Sequence, residues 1–423
     1  MRACLDLFRD YEISGSITDL VAGGKLLRRP VLGSVWVNPK VTKWAAWLSG
    51  RTQIYRKGRR PLDGPPDRDR RIVNAHFAGR MSISLGASMR ARLLMLFLAL
   101  GAVPVANDAY AADPIKIRLA WAVVPSELSP ILFVKPGIAR HVGVTYTVEP
   151  IHFAAAPLMI TALATGEVDV APFSYSTIPN AVQNAGLADL RVIADEFQDG
   201  VEGYYTNQFM VRKDSSIQAV ADLKGKIVAT NGAGSPVDIA LRSMLRKHDL
   251  QESRDVTMFE VLLPNMKAVL TERKADLIMA VLPFSVDPGL REIARTLFTQ
   301  REAVGTTQMI AWGTRSGFLE KNRAALVDFM EDVLRVTRWY IDPVNHDEVV
   351  QIVAQFTKRP PALFASWLFT KSDYYRDPDG APNLNVLQRN INAMRELGLT
   401  KADLDVRNYV DLSIVQEAGL RLK

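Results

Sequence analysis

Cysteine is almost absent from the sequence, since Cys4 is the only one among 423 residues. From residue 112 onward the chain can therefore form no disulfide, no thiolate metal site and no cysteine nucleophile. The absence of cysteine from this part of the chain is compatible with an oxidising compartment, but it does not show that the protein is located in one.

The motifs of common catalytic sites are also missing. The histidines at positions 141, 152, 248 and 346 lie far apart, and none has a metal-site spacing such as H-E-x-x-H. There is no G-x-S-x-G nucleophile elbow and no P-loop, and the glycines at 232 and 234 lack the last glycine of the dinucleotide fingerprint. We therefore expect no catalytic residues, no metal site and no cofactor.

An excess of positive over negative charge is missing from most of the chain, although the formal net charge is +7. Residues 1–111 hold 18 lysines and arginines against 8 acidic residues, whereas residues 112–423 hold 34 against 37. The body of the protein is therefore mildly acidic. We expect it to bind no nucleic acid, because such binding needs a basic groove.

The strongly apolar run at residues 93–106 has 14 residues, fewer than the roughly 20 that a membrane-spanning helix needs. Arg90 and Arg92 precede it, and Ala109-Tyr110-Ala111 follows it as an A-x-A cleavage site. This order is typical of a secretory signal peptide, which we place at residues 81–111. It predicts cleavage near Ala111 and a periplasmic protein; a membrane anchor is the alternative.

The stretch before the signal peptide does not have the composition of a domain. Residues 51–71 are dense in arginine, proline and aspartate and cannot bury enough apolar surface to fold. We expect residues 1–80 to be disordered or to lie upstream of the true start of translation, at Met81 or Met89. A genuine cytoplasmic tail is the alternative.

From residue 114 onward, short β-branched runs alternate with helical segments, which predicts parallel βαβ units in an α/β fold. Strands are predicted at 115–121, 144–151, 168–173, 190–194, 227–230, 256–262 and 277–282. Helices are predicted at 131–142, 155–164, 177–185, 236–248, 318–340, 347–356, 361–369 and 382–397. The helix at 236 is the best defined, because Ser235 is a candidate N-cap and Pro236 suits the first helical position.

A weak internal repeat indicates two similar lobes. The segments LATGEVD (163–169) and LTERKAD (270–276) each precede an apolar strand that ends in Pro-Phe-Ser. We assign residues 112–206 to the first part of lobe 1, 207–313 to lobe 2 and 314–423 to the mainly helical completion of lobe 1. Segments 207–213 and 307–314 are the predicted hinge strands.

Several passages together resemble a known family. They are ALATGEVDVA (162–171), FMVRKDSSIQAVADLKGKIVAT (209–230), the glycine loop and helix that follow, and the helix from Phe318. Over residues 114–400 the chain resembles the periplasmic solute-binding proteins of nitrate/sulfonate/taurine ABC importers, whose relatives include binders of thiamine-pyrimidine precursors. The resemblance implies a type II periplasmic binding fold, with two Rossmann-like lobes and two hinge crossings.

The resemblance also implies a function. The protein would close its lobes over a small anionic or polar organic solute, such as a sulfonate, nitrate or taurine, and deliver it to an ABC permease in the inner membrane. We expect a monomer. The loop WAVVPSELSP (121–130) and the glycines at 232–234 depart from the family pattern, which leaves the identity of the ligand open.

Ligands of open α/β sheets bind beyond the carboxyl ends of the strands, and this rule nominates the site. The candidate ligand-binding residues are Trp121, Ser126, Phe173, Ser174, Tyr175, Ser176, Asn231, Gly232, Gly234, Ser235, Phe284 and Trp312. Glycines at 232 and 234 would let the backbone approach an anion at a helix N-terminus. The alternatives are plain capping for Ser235 and plain packing for the tryptophans.

Two other functions fit the same fold class. One is an enzyme similar to the thiamine-pyrimidine synthases; tetrapyrrole-type deaminases are excluded because they need a cysteine-tethered cofactor. The other is a transcription regulator, which would need a helix-turn-helix within residues 1–80 that the Pro/Arg-rich run does not provide. The export signal argues against both cytoplasmic proteins.

Export predicts a defined mature N-terminus. A tagged protein translated from Met89 should be secreted and should begin near Ala112, as measured by N-terminal sequencing of the exported product. A peptide from before Met81 in the mature protein would contradict this prediction.

Overall fold

The computed structural model describes residues 113–423. The predictions for residues 1–80 and for the signal peptide at 81–111 lie outside the described residues. None of the helices described here is long and apolar enough to cross a membrane.

Ten strands account for the sheets of the described chain. They are β1 (Ile115–Trp121), β2 (Tyr146–His152), β3 (Val170–Phe173), β4 (Leu190–Asp199), β5 (Gln208–Arg212), β6 (Ile227–Thr230), β7 (Thr257–Glu260), β8 (Leu277–Ala280), β9 (Ala294–Thr299) and β10 (Thr307–Arg315). One sheet has the order β2-β1-β3-β10-β4 and the other the order β7-β6-β8-β5-β9. The predicted two-lobed α/β architecture is confirmed, with one sheet in each lobe.

Both sheets are mixed rather than purely parallel. In the first sheet β10 runs antiparallel to β3 and β4, and in the second β5 runs antiparallel to β8 and β9. The chain crosses over from the other lobe before each of these two antiparallel strands, β10 and β5. The segments predicted as hinges, 207–213 and 307–314, are thus largely the sheet strands β5 and β10, and the chain passes between the sheets just before each of them.

The helices surround these sheets. They are α1 (Ala156–Thr165), α2 (Thr177–Gln183), α3 (Pro236–Lys247), α4 (Met266–Thr271), α5 (Pro288–Ile293), α6 (Gln300–Val304), α7 (Ser316–Lys321), α8 (Arg323–Ile341), α9 (His346–Thr357), α10 (Leu384–Glu396) and α11 (Ser413–Arg421). Helix α3 begins as predicted, with Ser235 as N-cap, Pro236 in its first turn, and Arg246 and Lys247 in its last turn.

Three helix predictions need correction. Residues 131–142 form turns, because Pro136 and Gly137 (φ +83°) interrupt the helical pattern. Of residues 361–369, only Pro361–Leu363 forms a short 3-10 helix. The predicted helix 318–340 is broken at Asn322 into α7 and α8. The sequence analysis also missed β9, whose residues do not alternate strongly in polarity.

A buried carboxylate ties the irregular segment 131–146 to α8. Asp332 is fully buried and accepts hydrogen bonds from the backbone amides of Arg140 and His141, both at 2.8 Å. It also accepts from the Tyr146 hydroxyl at 2.9 Å and pairs with Arg335 at 2.7 Å. These donors satisfy the carboxylate in place of water, so the segment keeps a defined path without being helical.

Substituting Asp332→Asn should lower the free energy of unfolding by roughly 2–4 kcal/mol, because the partly buried Arg335 loses one of its two charge partners and the buried amide cannot accept from every donor. Chemical denaturation measures the change. The matched control is Asp249→Asn at an exposed position, expected to stay within about 0.5 kcal/mol of the wild type. Equal stability of the two variants would contradict the assigned role of Asp332.

Candidate functional site

A cavity of about 60 Å³ lies between the two lobes. Its lining comes from both sheets and consists of Ala122, Val123, Ser126, Glu127, Ala154, Ala155, Ala156, Met159, Phe197, Asn231, Ser235, Pro236, Val237, Leu263, Val281, Leu282, Met309, Ile310 and Tyr374. At about 10–15 Å³ for each water-sized sphere, it holds roughly four to six such spheres. Most of its wall is apolar, with a few polar groups.

The topology explains why these residues meet. Ala122 and Val123 follow β1, and residues 154–156 follow β2 after a short loop. In the other lobe Asn231 follows β6, and Val281 and Leu282 follow β8. Carboxyl ends of parallel strands share one edge of a sheet, so the two edges face each other across the cavity.

Hydroxyl groups of lobe 1 bind backbone carbonyls of lobe 2 around the cavity. Tyr175 Oη donates to the carbonyl oxygen of Pro236 at 2.5 Å, and Ser176 Oγ donates to that of Gly234 at 3.0 Å. On another side, Ser126 Oγ donates to the carbonyl oxygen of Leu282 at 3.2 Å. The described arrangement is therefore a closed one, in which the lobes touch directly.

Close packing reinforces this contact at Gly232. A Cβ atom added there would lie 3.1 Å from the Cβ of Ala155 in the opposite lobe. The absence of a side chain at position 232 thus lets the glycine loop approach lobe 1. Gly232 serves the contact between lobes in this arrangement.

The N-terminus of α3 is occupied by a carboxylate of the chain itself. Asp238 is fully buried and accepts from the Gly234 amide at 2.8 Å, the Thr230 hydroxyl at 2.9 Å and Arg242 Nε at 2.8 Å. Ser235 Oγ accepts from the Asp238 amide at 3.2 Å and donates to Asn231 Oδ1 at 2.8 Å. A negative charge therefore already lies at the positive end of the helix dipole.

Further carboxyl groups are buried beside the cavity. Glu127 lines it and accepts a hydrogen bond from the Ala122 amide at 2.8 Å, while burial, and then the neighbouring Glu196, raise the pKa of Glu127 well above its ordinary value. Burial also raises the pKa of Glu196 to about 7, and that of Asp195 to about 7. These groups are held where their charged forms are poorly solvated.

One buried guanidinium lies behind this layer. Arg376 Nη2 donates to the carbonyl oxygen of Ser126 at 2.7 Å, and Nη1 is 3.4 Å from Asp373 Oδ2. Its Cζ atom lies 4.8 Å from the ring centre of Phe369 and 5.6 Å from that of Phe197. Within residues 113–423, no lysine or arginine belongs to the cavity lining.

The structure brings three of the predicted site residues to the cavity wall: Ser126, Asn231 and Ser235. Four more form the contact between lobes or the loop beside it, namely Tyr175, Ser176, Gly232 and Gly234. Ser174 is buried, and its hydroxyl lies 3.0 Å from that of Ser176. It supports the turn into α2 and does not line the cavity.

The remaining four predicted residues, all aromatic, do not line the cavity, because packing occupies their side chains. Trp121 lies against His152, with ring centres 4.6 Å apart, and Trp312 stacks on Phe329 at 5.6 Å. Phe173 is fully buried beneath β10, and Phe284 lies half-buried against the core. A residue at a strand end is thus not necessarily exposed to the cleft.

The prediction missed most of the apolar wall. Residues 154–156 follow β2, so the strand-end rule would have found them if it had been applied to that strand. Phe197, Met309 and Ile310 lie within β4 and β10, and Tyr374 comes from the segment after α9. No local pattern marks these residues, because the arrangement of β4, β10 and the later segment in the fold brings them to the cleft.

Elsewhere in the described chain, His141, Asp328 and Glu331 form a group whose ligand atoms lie within 4.8 Å of one another. Arg421 contacts Asp328 at 2.8 Å, and Arg335 pairs with Glu331. The carboxylates thus already have cationic partners. This group is an ion-pair network, and the prediction of no metal site stays a prediction.

Solved structures of other proteins have a similar fold. The alkanesulfonate-binding protein SsuA from Xanthomonas axonopodis pv. citri has a TM-score of 0.56 and 18% identity, covering 71% of this chain and 99% of its own. The nitrate-binding protein NrtA from Synechocystis PCC 6803 has a TM-score of 0.57 and 15% identity, covering 73% and 89%. The desulfurization enzyme DSZB has a TM-score of 0.51 and 14% identity, covering 73% and 100%.

At these identities the likeness shows the fold alone, which is that of two-lobed periplasmic binding proteins. No curated protein is similar enough in sequence to count as a match. The sequence model of the NMT1-like family matches residues 111–354, more than half of the chain. The resemblance drawn from the sequence is thereby confirmed, and the chain belongs to the NMT1-like family.

Proposed function

We propose that this protein is the extracytoplasmic solute-binding component of an ABC importer. It captures a small polar organic solute between its lobes in the periplasm and delivers it to a permease in the inner membrane. The observation that carries the proposal is the cavity between the lobes, which is lined by the strand ends of both sheets. Similarity to alkanesulfonate- and nitrate-binding proteins supports it.

Lobe closure is the mechanism that this site favours. The hydroxyl-to-carbonyl bonds of Ser126, Tyr175 and Ser176 contribute about 1 kcal/mol each, because water replaces them when the lobes separate. Micromolar affinity corresponds to about 8 kcal/mol. A ligand that contacts both walls therefore supplies most of the difference between the two states and shifts the population toward closure.

The composition of the cavity wall restricts the chemical class of the ligand. Apolar side chains such as Met159, Val237 and Ile310 suit a compact carbon frame, and Ser126 and Asn231 can bind polar groups on it. Of the two ligand classes expected from the sequence, the polar solute is favoured over the anion. The described lining holds no lysine or arginine, and Asp238 occupies the N-terminus of α3.

An enzyme is the second candidate, favoured by the similarity to the desulfurization enzyme DSZB. The lining of the cavity in residues 113–423 includes neither cysteine nor histidine, and its serines act as cap and lobe contact. We therefore propose binding without catalysis, by a monomer that needs no cofactor. Product formation from any bound solute would favour the enzyme.

A ligand of the cleft should stabilise the protein without being converted. At a concentration of 100 times Kd the expected stabilisation is about 2.7 kcal/mol, visible as a rise in the thermal midpoint. The measurement is a thermal-shift screen of sulfonates, nitrate, taurine, carboxylates, pyrimidines, amines and amidines, with mass spectrometry of each hit. The proposal fails if no compound raises the midpoint, or if a hit is turned over.

Closure also predicts the effect of a side chain at position 232. Gly232→Val places atoms against Ala155 and should hold the lobes apart, reducing the affinity for any hit at least tenfold. The matched control is Ala233→Val, where the neighbouring side chain is exposed and affinity should be unchanged. Isothermal titration measures both variants, and equal affinities would contradict closure at this contact.

A further inference from the structure

Among the described residues, Glu127 is the one charged residue of the cavity lining, and further buried carboxyl groups lie behind it. Glu127, Asp195, Glu196 and Asp373 are each at most 8% exposed, and they come from the loop after β1, from β4 and from the segment after α9. The buried cation next to them is Arg376, at 4% exposure. If these carboxyl groups ionise, a single guanidinium cannot balance their charges.

Arg376 is also turned away from the cavity. Its guanidinium lies beside the rings of Phe197 and Phe369, donates to the carbonyl oxygen of Ser126 and pairs with Asp373. Phe197 and Ser126 belong to the lining, so they stand between the positive charge and the bound solute. A ligand in the cavity therefore meets the carboxyl of Glu127 and not the guanidinium.

Among the described residues, the lobe 2 wall of the cavity contains no lysine or arginine. The dipole of α3 would attract an anion, but the buried carboxylate of Asp238 in the first turn accepts a hydrogen bond from the Gly234 amide and already lies at that end. Arg242 pairs with the same carboxylate from the following turn of the helix. An anionic ligand would thus approach Glu127 and Asp238 with no basic side chain in the described lining.

From this charge pattern we infer that the cleft, given that it is the solute site proposed above, selects a compact cation on an apolar frame, such as an amine, amidine or guanidine. The N–H groups of the ligand bind the carboxylate of Glu127, and Asn231 is a further polar residue of the lining. Glu127 is thereby the residue that determines the charge of the ligand. The apolar wall holds the carbon frame.

Binding of a cation should release a proton. Burial and Glu196 raise the pKa of Glu127, which favours the protonated carboxyl in the closed cleft without ligand. The charged group that faces it is Glu196 on β4, and Arg376 of the later segment donates to the carbonyl oxygen of Ser126, the residue before Glu127. A bound cation stabilises the ionised form, so the proton of Glu127 passes to the buffer as the ion pair forms.

Two series of isosteric probes test the charge preference on the mature wild-type protein. They are acetamidinium, acetamide and acetate, and benzamidinium, benzamide and benzoate, each titrated by calorimetry at pH 7. We expect at least one amidinium to bind tenfold or more tightly than its neutral amide, and the carboxylates to bind least. Titrations in phosphate and in Tris should differ in heat for the amidinium only, because only its binding releases a proton.

Substituting Glu127→Gln should reduce the amidinium affinity at least tenfold, leave the amide affinity within threefold and abolish the buffer-dependent heat. Glu167→Gln, at an exposed position of the same lobe, is the matched control and should behave like the wild type. A thermal melt verifies that each variant is folded. The probe series on the wild type decides the charge preference even if a variant does not fold.

The outcomes separate this inference from the proposed function. Tighter binding of acetate or benzoate than of the amidines overturns the cation preference and leaves solute binding intact. Binding of none of the six probes also overturns the cation preference, while the broad thermal-shift screen and the Gly232→Val variant decide independently whether the cleft binds a solute.

Discussion

The contact between the hydroxyls of lobe 1 and the loop before α3 is the interaction on which the site depends. Tyr175 and Ser176 donate to the carbonyls of Pro236 and Gly234, and Gly232 allows the backbones to come this close. Together with the bond from Ser126 to the Leu282 carbonyl, this contact holds both walls of the cavity together. The same contact fixes which strand ends face each other, and therefore which side chains a ligand meets.

The architecture was predictable from the sequence because it depends on local patterns. The capped start of α3 at Ser235 and the apolar strands before it are encoded by neighbouring residues. The site was only partly predictable, since the strand-end rule identifies loops and not the direction of each side chain. Trp312 illustrates the limit. It is close in sequence to residues that line the cavity, but its ring is stacked on Phe329 of helix α8.

Residues that reach the cavity only through the topology of the chain could not be identified from the sequence. Tyr374 reaches the cleft because the segment after α9 returns along β4, where Gln198 and Tyr375 form a β-bridge. The importance of Glu127 likewise follows from burial beside Glu196, which the chain places 69 residues later. The charge of the groups around the cleft therefore depends on the fold, whereas the sequence motifs alone indicated an anionic or polar ligand.

Solution X-ray scattering tests the central claim, ligand-driven closure of two lobes, most directly. The mature protein would be measured with and without a saturating solute whose binding has been established by calorimetry. The account predicts a smaller radius of gyration with the solute bound, because the lobes then close. Identical scattering curves from the free and bound protein would contradict it.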